Sequence, residues 1–296
     1  MFIIALALLY PGDEILVPWP GYNPYHQAAE MAGAETVHIR MSMETNFTLT
    51  AEMVEAHITP RSKILVLINP SNPTGTVTPP SEVRRIAEVA RKHDLIVISD
   101  EIYARLTYGN NTVQPVASLP GMFDRTITLS GFSKAYAMTG WRIGYFAGPP
   151  DLIPALAEIN HAFAISTAAA SQHAAIAALT GSQDCVEEMR QIYDARRIAL
   201  CAGLTEMGIP YAEPQGAFYV YANVASTGIG ATAFCERLLR EGLLRAVAAR
   251  RPSADVPRRH LRRLYRRFRP HVADPARRPY PRSHHPDEDR RRVYPH

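Results

Sequence analysis

The rarest charge in the chain sits in its most chemically suggestive stretch. Only three lysines, Lys63, Lys92 and Lys134, stand against 29 arginines. Lys134 lies in the run from Leu129 to Tyr145, L-S-G-F-S-K-A-Y-A-M-T-G-W-R-I-G-Y. The small neighbours Gly131, Ser133 and Ala135 leave room for another molecule to approach the amine. A lysine that forms a Schiff base must lose its proton, which requires a desolvated pocket or a nearby cation. Arg142, eight residues on, supplies such a cation. Taken alone, a lysine and an arginine in a glycine-containing loop also read as a structural feature or a simple anion site.

Other loops carry matching groups. Tyr22 closes P-W-P-G-Y, Asn72 lies within N-P-S-N-P-T-G (69–75), and Asp100 and Tyr103 belong to S-D-E-I-Y. Each has an ordinary reading, since an aspartate at a strand edge caps or pairs and an asparagine beside proline forms turns. Together they suit one ligand, pyridoxal 5′-phosphate. Lys134 would join its aldehyde, and Asp100 would keep the pyridine nitrogen protonated so that the ring acts as an electron sink. Asn72 and Tyr103 would hydrogen-bond the ring oxygen, Tyr22 would stack on the ring, and Arg142 would bind the phosphate through two bonds. The freed Lys134 amine would then move a proton between the substrate α-carbon and the cofactor.

The elements that must hold these loops follow from hydrophobic pattern. Strands are expected at 14–17, 35–40, 63–68, 95–99, 125–130 and 143–148, and helices at 23–33, 50–57 and 80–93. The fully apolar run Lys63-Ile-Leu-Val-Leu-Ile68 is of the kind buried in a parallel sheet. Alternation of strand and helix from 14 to 148 predicts an α/β fold, a mostly parallel sheet with helices on both faces, whose sites lie on loops at strand ends. A long alanine-rich helix is expected over 154–179 and another over 184–207. A turn and strand at 214–221 and a helix at 231–241 follow. No internal repeat is present.

Composition narrows the setting. With 47% hydrophobic residues in 296, the chain can bury a substantial core. Cys185, Cys201 and Cys235 show no C-x-x-C spacing, which points to free thiols in a reducing, cytoplasmic compartment. The apolar opening from Met1 to Leu9 lacks a basic flank and a cleavage site and is too short to span a membrane, so it reads as the end of a buried helix whose preceding part is missing. The net charge of +4 conceals a division: residues 245–296 hold sixteen arginines and five acids, a net of +11, leaving −7 on residues 1–244. That terminal segment lacks lysine and most apolar periodicity, and is expected to be disordered. It reads either as a polyanion-binding tail with steep salt dependence or as a frame-shifted reading of a GC-rich gene. No recognised nucleic-acid fold accompanies it, which argues against nucleic acid as a partner.

The motifs N-P-S-N-P-T-G, S-D-E-I-Y, S-G-F-S-K-A-Y-A-M-T-G-W-R-I-G, P-G-Y-N-P-Y and P-Q-G-A-F-Y resemble the class I and II aminotransferases, the fold type I pyridoxal-phosphate enzymes, over residues 1 to about 244. The lysine segment is most similar to the aspartate and aromatic branch. The resemblance implies transfer of an amino group between an L-amino acid and a 2-oxo acid, with a carbon–sulfur lyase or cyclopropane-carboxylate synthase as the alternative within the same fold. It implies a seven-stranded large domain (1–180), an incomplete smaller α+β domain (181–244) and a homodimer with sites at the subunit interface. Lys134, Asp100 and Tyr103 take the catalytic roles; Tyr22, Asn72, Ser133 and Arg142 join them in holding the cofactor. Where such proteins often place a phosphate-binding serine three residues before the lysine, this chain has Gly131, and Ser133 or Ser130 is the expected substitute. A phosphate-cradling loop before Met1 and an arginine-bearing strand after Glu241 are not legible. The chain as written is therefore expected to be a weak aminotransferase, or a non-catalytic remnant.

Overall fold

The structure, a computed structural model, describes residues 1–241. The 245–296 segment lies outside the described residues. Six strands form one sheet: β1 (Glu14–Trp19), β2 (Glu35–Arg40), β3 (Ser62–Ile68), β4 (Ile96–Asp100), β5 (Thr126–Gly131) and β6 (Gly144–Ala147), in the order β2-β1-β3-β4-β5-β6. The first five run parallel and β6 returns antiparallel to β5. The expected α/β architecture is thus present, with six strands among the described residues where the resemblance implies seven.

Strand alternation builds two cores. Leu65 and Leu67 of β3 face one side of the sheet, with Leu16, Val97 and the buried faces of α3 (Ala51–Glu55) and α4 (Pro80–Lys92). Ile64, Val66 and Ile68 face the other, with Ile15, Val17, Ile98 and Ile127. Helices α1 (Phe2–Leu8), α2 (Pro24–Met31) and α5 (Ile153–Ala164) cover that second face through Ile4, Ala5, Tyr25, Ala28, Ala29 and Leu156. Helix α4 buries Val83, Ile86, Ala87 and Ala90, a single stripe at i, i+3, i+4 and i+7. Each valine, leucine or isoleucine so buried contributes about 1.5–3 kcal/mol, so the sheet is held from both sides. Thr50 caps α3 by accepting the Met53 N–H at 3.3 Å.

Parallel direction places Trp19, Ile68, Asp100 and Gly131 at the same edge of the sheet. The loops bearing Tyr22, Asn72, Tyr103 and Lys134 all leave from that carboxyl edge, where open α/β sheets collect their ligands.

Two local expectations are corrected. The stretch 154–179 is two helices, α5 and α6 (Ala169–Thr180), separated where Ile165 takes φ 55°. Its alanines supply helix propensity but no continuous apolar stripe: α6 buries only Ser171 and Ala175. Residues 214–221 form no ladder, only the isolated bridge Thr107↔Gly216, and a second bridge, Tyr211↔Ala222, closes the stretch from either side. Their backbone groups bond to loops instead. Gln215 and Gly216 N–H both donate to the Gly75 carbonyl at 2.8 Å, and Ala217 N–H donates to Leu106 at 2.8 Å. Beyond α6, α7 (Asp184–Glu206) and α8 (Ala231–Arg240) match the expected helices within a few residues.

The strap at 211–222 approaches the 69–78 loop so closely that glycine is required on both sides. Gly75 has φ +73°, and a Cβ there would lie 2.7 Å from the Tyr219 carbonyl oxygen. A Cβ on Gly216 would lie 2.6 Å from Pro70 Cγ. Gly12, at φ +95°, has nothing within 4 Å and isolates the backbone contribution. Gly12→Ala should cost about 1–2 kcal/mol from left-handed backbone strain alone. Gly75→Ala should cost a further 1–3 kcal/mol or so from overpacking, as measured by urea unfolding. Equal losses at the two positions would contradict this account of the strap.

Candidate active site

Lys134 follows the end of β5 on a loop tied to its own backbone. The Phe132 carbonyl accepts the N–H groups of Tyr136 and Met138, both at 3.2 Å, and the Lys134 carbonyl accepts Ala137 N–H at 3.3 Å. Phe132 and Ala135 are buried and fix the loop to the sheet edge. The Lys134 Nζ projects into an aromatic pocket, 5.3 Å from the ring centroid of Phe218 and 5.7 Å from that of Tyr103. Ring faces of this kind attract an ammonium group. The other two lysines are placed differently: Lys63 is exposed on β3, and Lys92 pairs with Glu55 at 2.6 Å.

Tyr103 is 2% exposed, and its hydroxyl lies 2.6 Å from that of Tyr219. Burial pushes its pKa above the usual tyrosine range, so Tyr103 stays a protonated phenol.

Asp100 ends β4, walled by β3 and β5. Its Oδ2 accepts the hydroxyl of Tyr25 at 2.7 Å, and its Oδ1 accepts the N–H of Ile102 at 3.2 Å. Burial raises its pKa above the ordinary carboxylate value, while the two donors pull it back down. Tyr25 is fully buried, and burial followed by the adjacent Asp100 charge raises its own pKa. A half-buried carboxylate held by two donors is suited to pair with a cationic N–H.

The remaining candidates are distributed around this centre. Tyr22 is 44% exposed and meets Tyr25 edge to face, with ring centroids 6.2 Å apart. Asn72 lines a small cavity with Pro20, Gly21 and Thr76. Its loop is closed by Asn69, which donates from Nδ2 to the Thr78 carbonyl at 3.2 Å and accepts Thr78 N–H at 3.0 Å. Ser133 offers its carbonyl to the Thr139 hydroxyl at 3.0 Å. Arg142 is exposed, adopts φ 49°, and donates from one terminal nitrogen to the Thr139 carbonyl at 2.9 Å. The structure thus joins Lys134 and Tyr103 directly. Asp100 acts electrostatically on Tyr103, and no hydrogen bond among the described residues links Asn72, Ser133 or Arg142 to these three.

Gly131 has a geometric cause. It faces Gly144 across the β5–β6 pair, and a Cβ on it would lie 2.8 Å from the Gly144 Cα. A serine at 131 would force the two strands apart.

Reasoning from sequence missed Tyr25, Phe218 and Tyr219. Both tyrosines stand inside quoted motifs, P-G-Y-N-P-Y and P-Q-G-A-F-Y, but neither has a neighbour in sequence that reveals its partner. Phe218 and Tyr219 are more than eighty residues from Lys134 and over a hundred from Tyr103.

A six-stranded, mostly parallel sheet with a lysine, a half-buried aspartate and a buried tyrosine at its carboxyl edge is the architecture of fold type I aminotransferases. The family model for aminotransferase class I and II matches residues 2–263, and the chain belongs to that family. It is similar to the aspartate aminotransferase of Pyrococcus abyssi (strain GE5 / Orsay), 39% identical over 249 residues, covering 83% of this chain and 64% of that protein. It is also similar to aromatic-amino-acid aminotransferase 2 of Thermococcus litoralis, 37% identical over 237 residues, covering 79% and 61% respectively. The solved aromatic aminotransferase from Pyrococcus horikoshii OT3 superposes with a TM-score of 0.80 at 34% identity, over 90% of this chain and 75% of that one. The chain spans about three fifths of the length of the curated relatives it matches.

The Tyr25 bond generates a pH-dependent prediction. Because burial raises the folded-state pKa of Asp100, its ionisation costs stability as pH rises through and above the ordinary carboxylate value of 3.8. The Tyr25 hydroxyl offsets part of that cost, and its contribution is present while Asp100 is ionised and lost as pH falls through the folded pKa. Tyr25→Phe should therefore destabilise the chain by about 2 kcal/mol at neutral pH and by much less near pH 4. Urea unfolding at the two pH values measures the difference; a loss independent of pH would assign the effect to packing alone.

Proposed function

We propose that the protein is a pyridoxal 5′-phosphate-dependent aminotransferase, transferring an amino group between an L-amino acid of the aspartate or aromatic type and a 2-oxo acid. The observation that carries this reading is the meeting of Lys134 and Tyr103 beside Asp100 at one sheet edge. The family typically uses pyridoxal 5′-phosphate, and the donor set fits it: a primary amine, a half-buried carboxylate held by two hydrogen-bond donors and a protonated phenol, with the Arg142 guanidinium on the segment that follows Lys134. When bound, the group supplies an electron sink for the charge left on the substrate α-carbon.

Lys134 holds the group covalently and, once released, carries the α-carbon proton. Asp100 stabilises a cationic N–H in a site with little competing water. Tyr103 donates its phenolic proton to the ring oxygen, assisted by Asn72, and Tyr22 covers the ring face. Arg142, with Ser133 beside it, holds the phosphate; a charged phosphate is a stronger acceptor than the Thr139 carbonyl that Arg142 now engages. In this reading residues 1–180 bind the cofactor, residues 181–244 form part of a smaller domain, and two chains pair as a homodimer in the cytoplasm. Among the described residues no helix is long and apolar enough to cross a membrane.

Two measurements test the proposal. With added pyridoxal 5′-phosphate the chain should gain a visible absorbance that borohydride fixes onto one peptide, the one containing Lys134. A label on Lys63 or Lys92 with Lys134 clean would overturn it. Asp100→Asn should retain the labelled lysine yet slow exchange of the substrate α-proton by about a thousandfold, equivalent to about 4 kcal/mol of barrier. Assays with aspartate, tyrosine, phenylalanine and alanine against 2-oxoglutarate then rank the amino donors.

A further inference from the structure

The phenol pair Tyr103–Tyr219 lies beside the amine, and of the two only Tyr103 has a motif-derived role. Its hydroxyls are 2.6 Å apart, and its rings pack at 5.6 Å with an interplanar angle of 73°. Phe218 fills the third side, 5.3 Å from Tyr103 and 4.9 Å from Tyr219. The strap fixes this cluster from behind: Ala217 N–H bonds to Leu106 at 2.8 Å, and the Ala217 carbonyl accepts the Tyr108 hydroxyl. Val77 N–H donates to the Gln215 side chain at 3.0 Å, joining the same strap to the loop that carries Asn72.

A phenol has one proton to donate and lone pairs to accept. Tyr103, 2% exposed, has little access to water, whereas Tyr219 is half-buried. Either hydroxyl of the pair can be the donor; the arrangement that leaves the Tyr103 proton free for another acceptor has Tyr219 donating, and Tyr219 can meet its remaining needs from solvent. A hydroxyl whose oxygen accepts a hydrogen bond becomes a better donor through its own proton. The ionisable groups facing Tyr103 are Tyr219 from the strap, Lys134 from the β5–β6 loop, Asp100 from the end of β4 and Tyr22 from the loop after β1.

We propose that Tyr219 is a positioning residue acting through Tyr103: it donates to the Tyr103 oxygen, so that the Tyr103 proton is aimed at the cofactor ring oxygen beside Lys134. This inference rests on the pyridoxal-phosphate reading above and assigns Tyr219 no contact with substrate. A stronger donor into the ring oxygen stabilises its anionic form and lowers the pH at which the Lys134-linked chromophore loses its proton.

The experiment is a pH titration of the visible absorbance band after loading with pyridoxal 5′-phosphate. It uses the parent chain, Tyr219→Phe, Tyr103→Phe and the double variant. Tyr219→Phe keeps the ring packing, and its folding is checked by circular dichroism. Its midpoint should rise by about half to one pH unit, the size expected for one neutral hydrogen bond. Tyr103→Phe should shift it further in the same direction, and Tyr219→Phe should add nothing once Tyr103 is replaced. An unchanged midpoint in Tyr219→Phe, or a shift that persists without Tyr103, overturns the inference and leaves the cofactor reading standing. A parent chain that takes up no pyridoxal 5′-phosphate at Lys134 overturns both together.

Discussion

A half-buried carboxylate at the end of a central strand is the constraint on which the rest of this structure depends. Asp100 lies between β3 and β5, where strands wall it on both sides and burial penalises its charge. The fold answers with a Tyr25 hydroxyl from α2 and an Ile102 N–H from its own loop. For Tyr25 to reach Asp100, α2 must begin at Pro24, directly after the proline-rich turn that ends β1. Proline suits the first helical position because it has no N–H to leave unpaired there. The turn that exposes Tyr22 is thus the same turn that sets Tyr25 against the carboxylate, and one stretch of chain serves both positions.

Much of this was legible in the sequence because sheet-forming physics is local. The run Ile64-Leu-Val-Leu-Ile68 admits few readings other than a strand buried on both faces, and it is one. Helix α4 was equally plain, since its apolar stripe repeats at helical spacing. Strand ends then located Asn72, Asp100 and Lys134, because parallel strands present their carboxyl ends together. The failures share a physical cause. Nothing in an alanine-rich run marks where a helix must turn, so the break at Ile165 was invisible. The strap at 214–221 has a strand's composition, but its backbone donors were already committed to Gly75 and Leu106. Tyr25 and Tyr219 owe their importance to partners 75 and 116 residues away, and pattern within a window carries no information about such pairs.

Long-range pairing also explains why the C-terminal third of the described chain matters although it adds no strand to the sheet. Residues 211–222 bond to the 75–77 turn and to Leu106 and Tyr108, two loops from different strand ends. Asn46 adds another tie, accepting the Glu213 N–H at 2.7 Å, and Phe47 meets Tyr221 edge to face at 5.2 Å. The loop bearing Asn72 and the turn bearing Tyr103 are therefore held at a fixed separation by a third segment. Glycine at 75 and 216 is what allows the three backbones to converge.

The same convergence sets a limit on how independent the site can be from the fold. Without the strap, Tyr103 would lose the hydroxyl partner at 2.6 Å and the two aromatic neighbours that bury it. A phenol left without a partner in a dry pocket costs about 1–3 kcal/mol, so Tyr103 would turn toward water and away from Lys134. Docking the strap thus stabilises the chain and orients the phenol in one event. Any substitution that loosens the strap, even one far from the amine, acts on stability and on the geometry around Lys134 together, and the two effects separate only when a change removes the Tyr219 hydroxyl while keeping its ring.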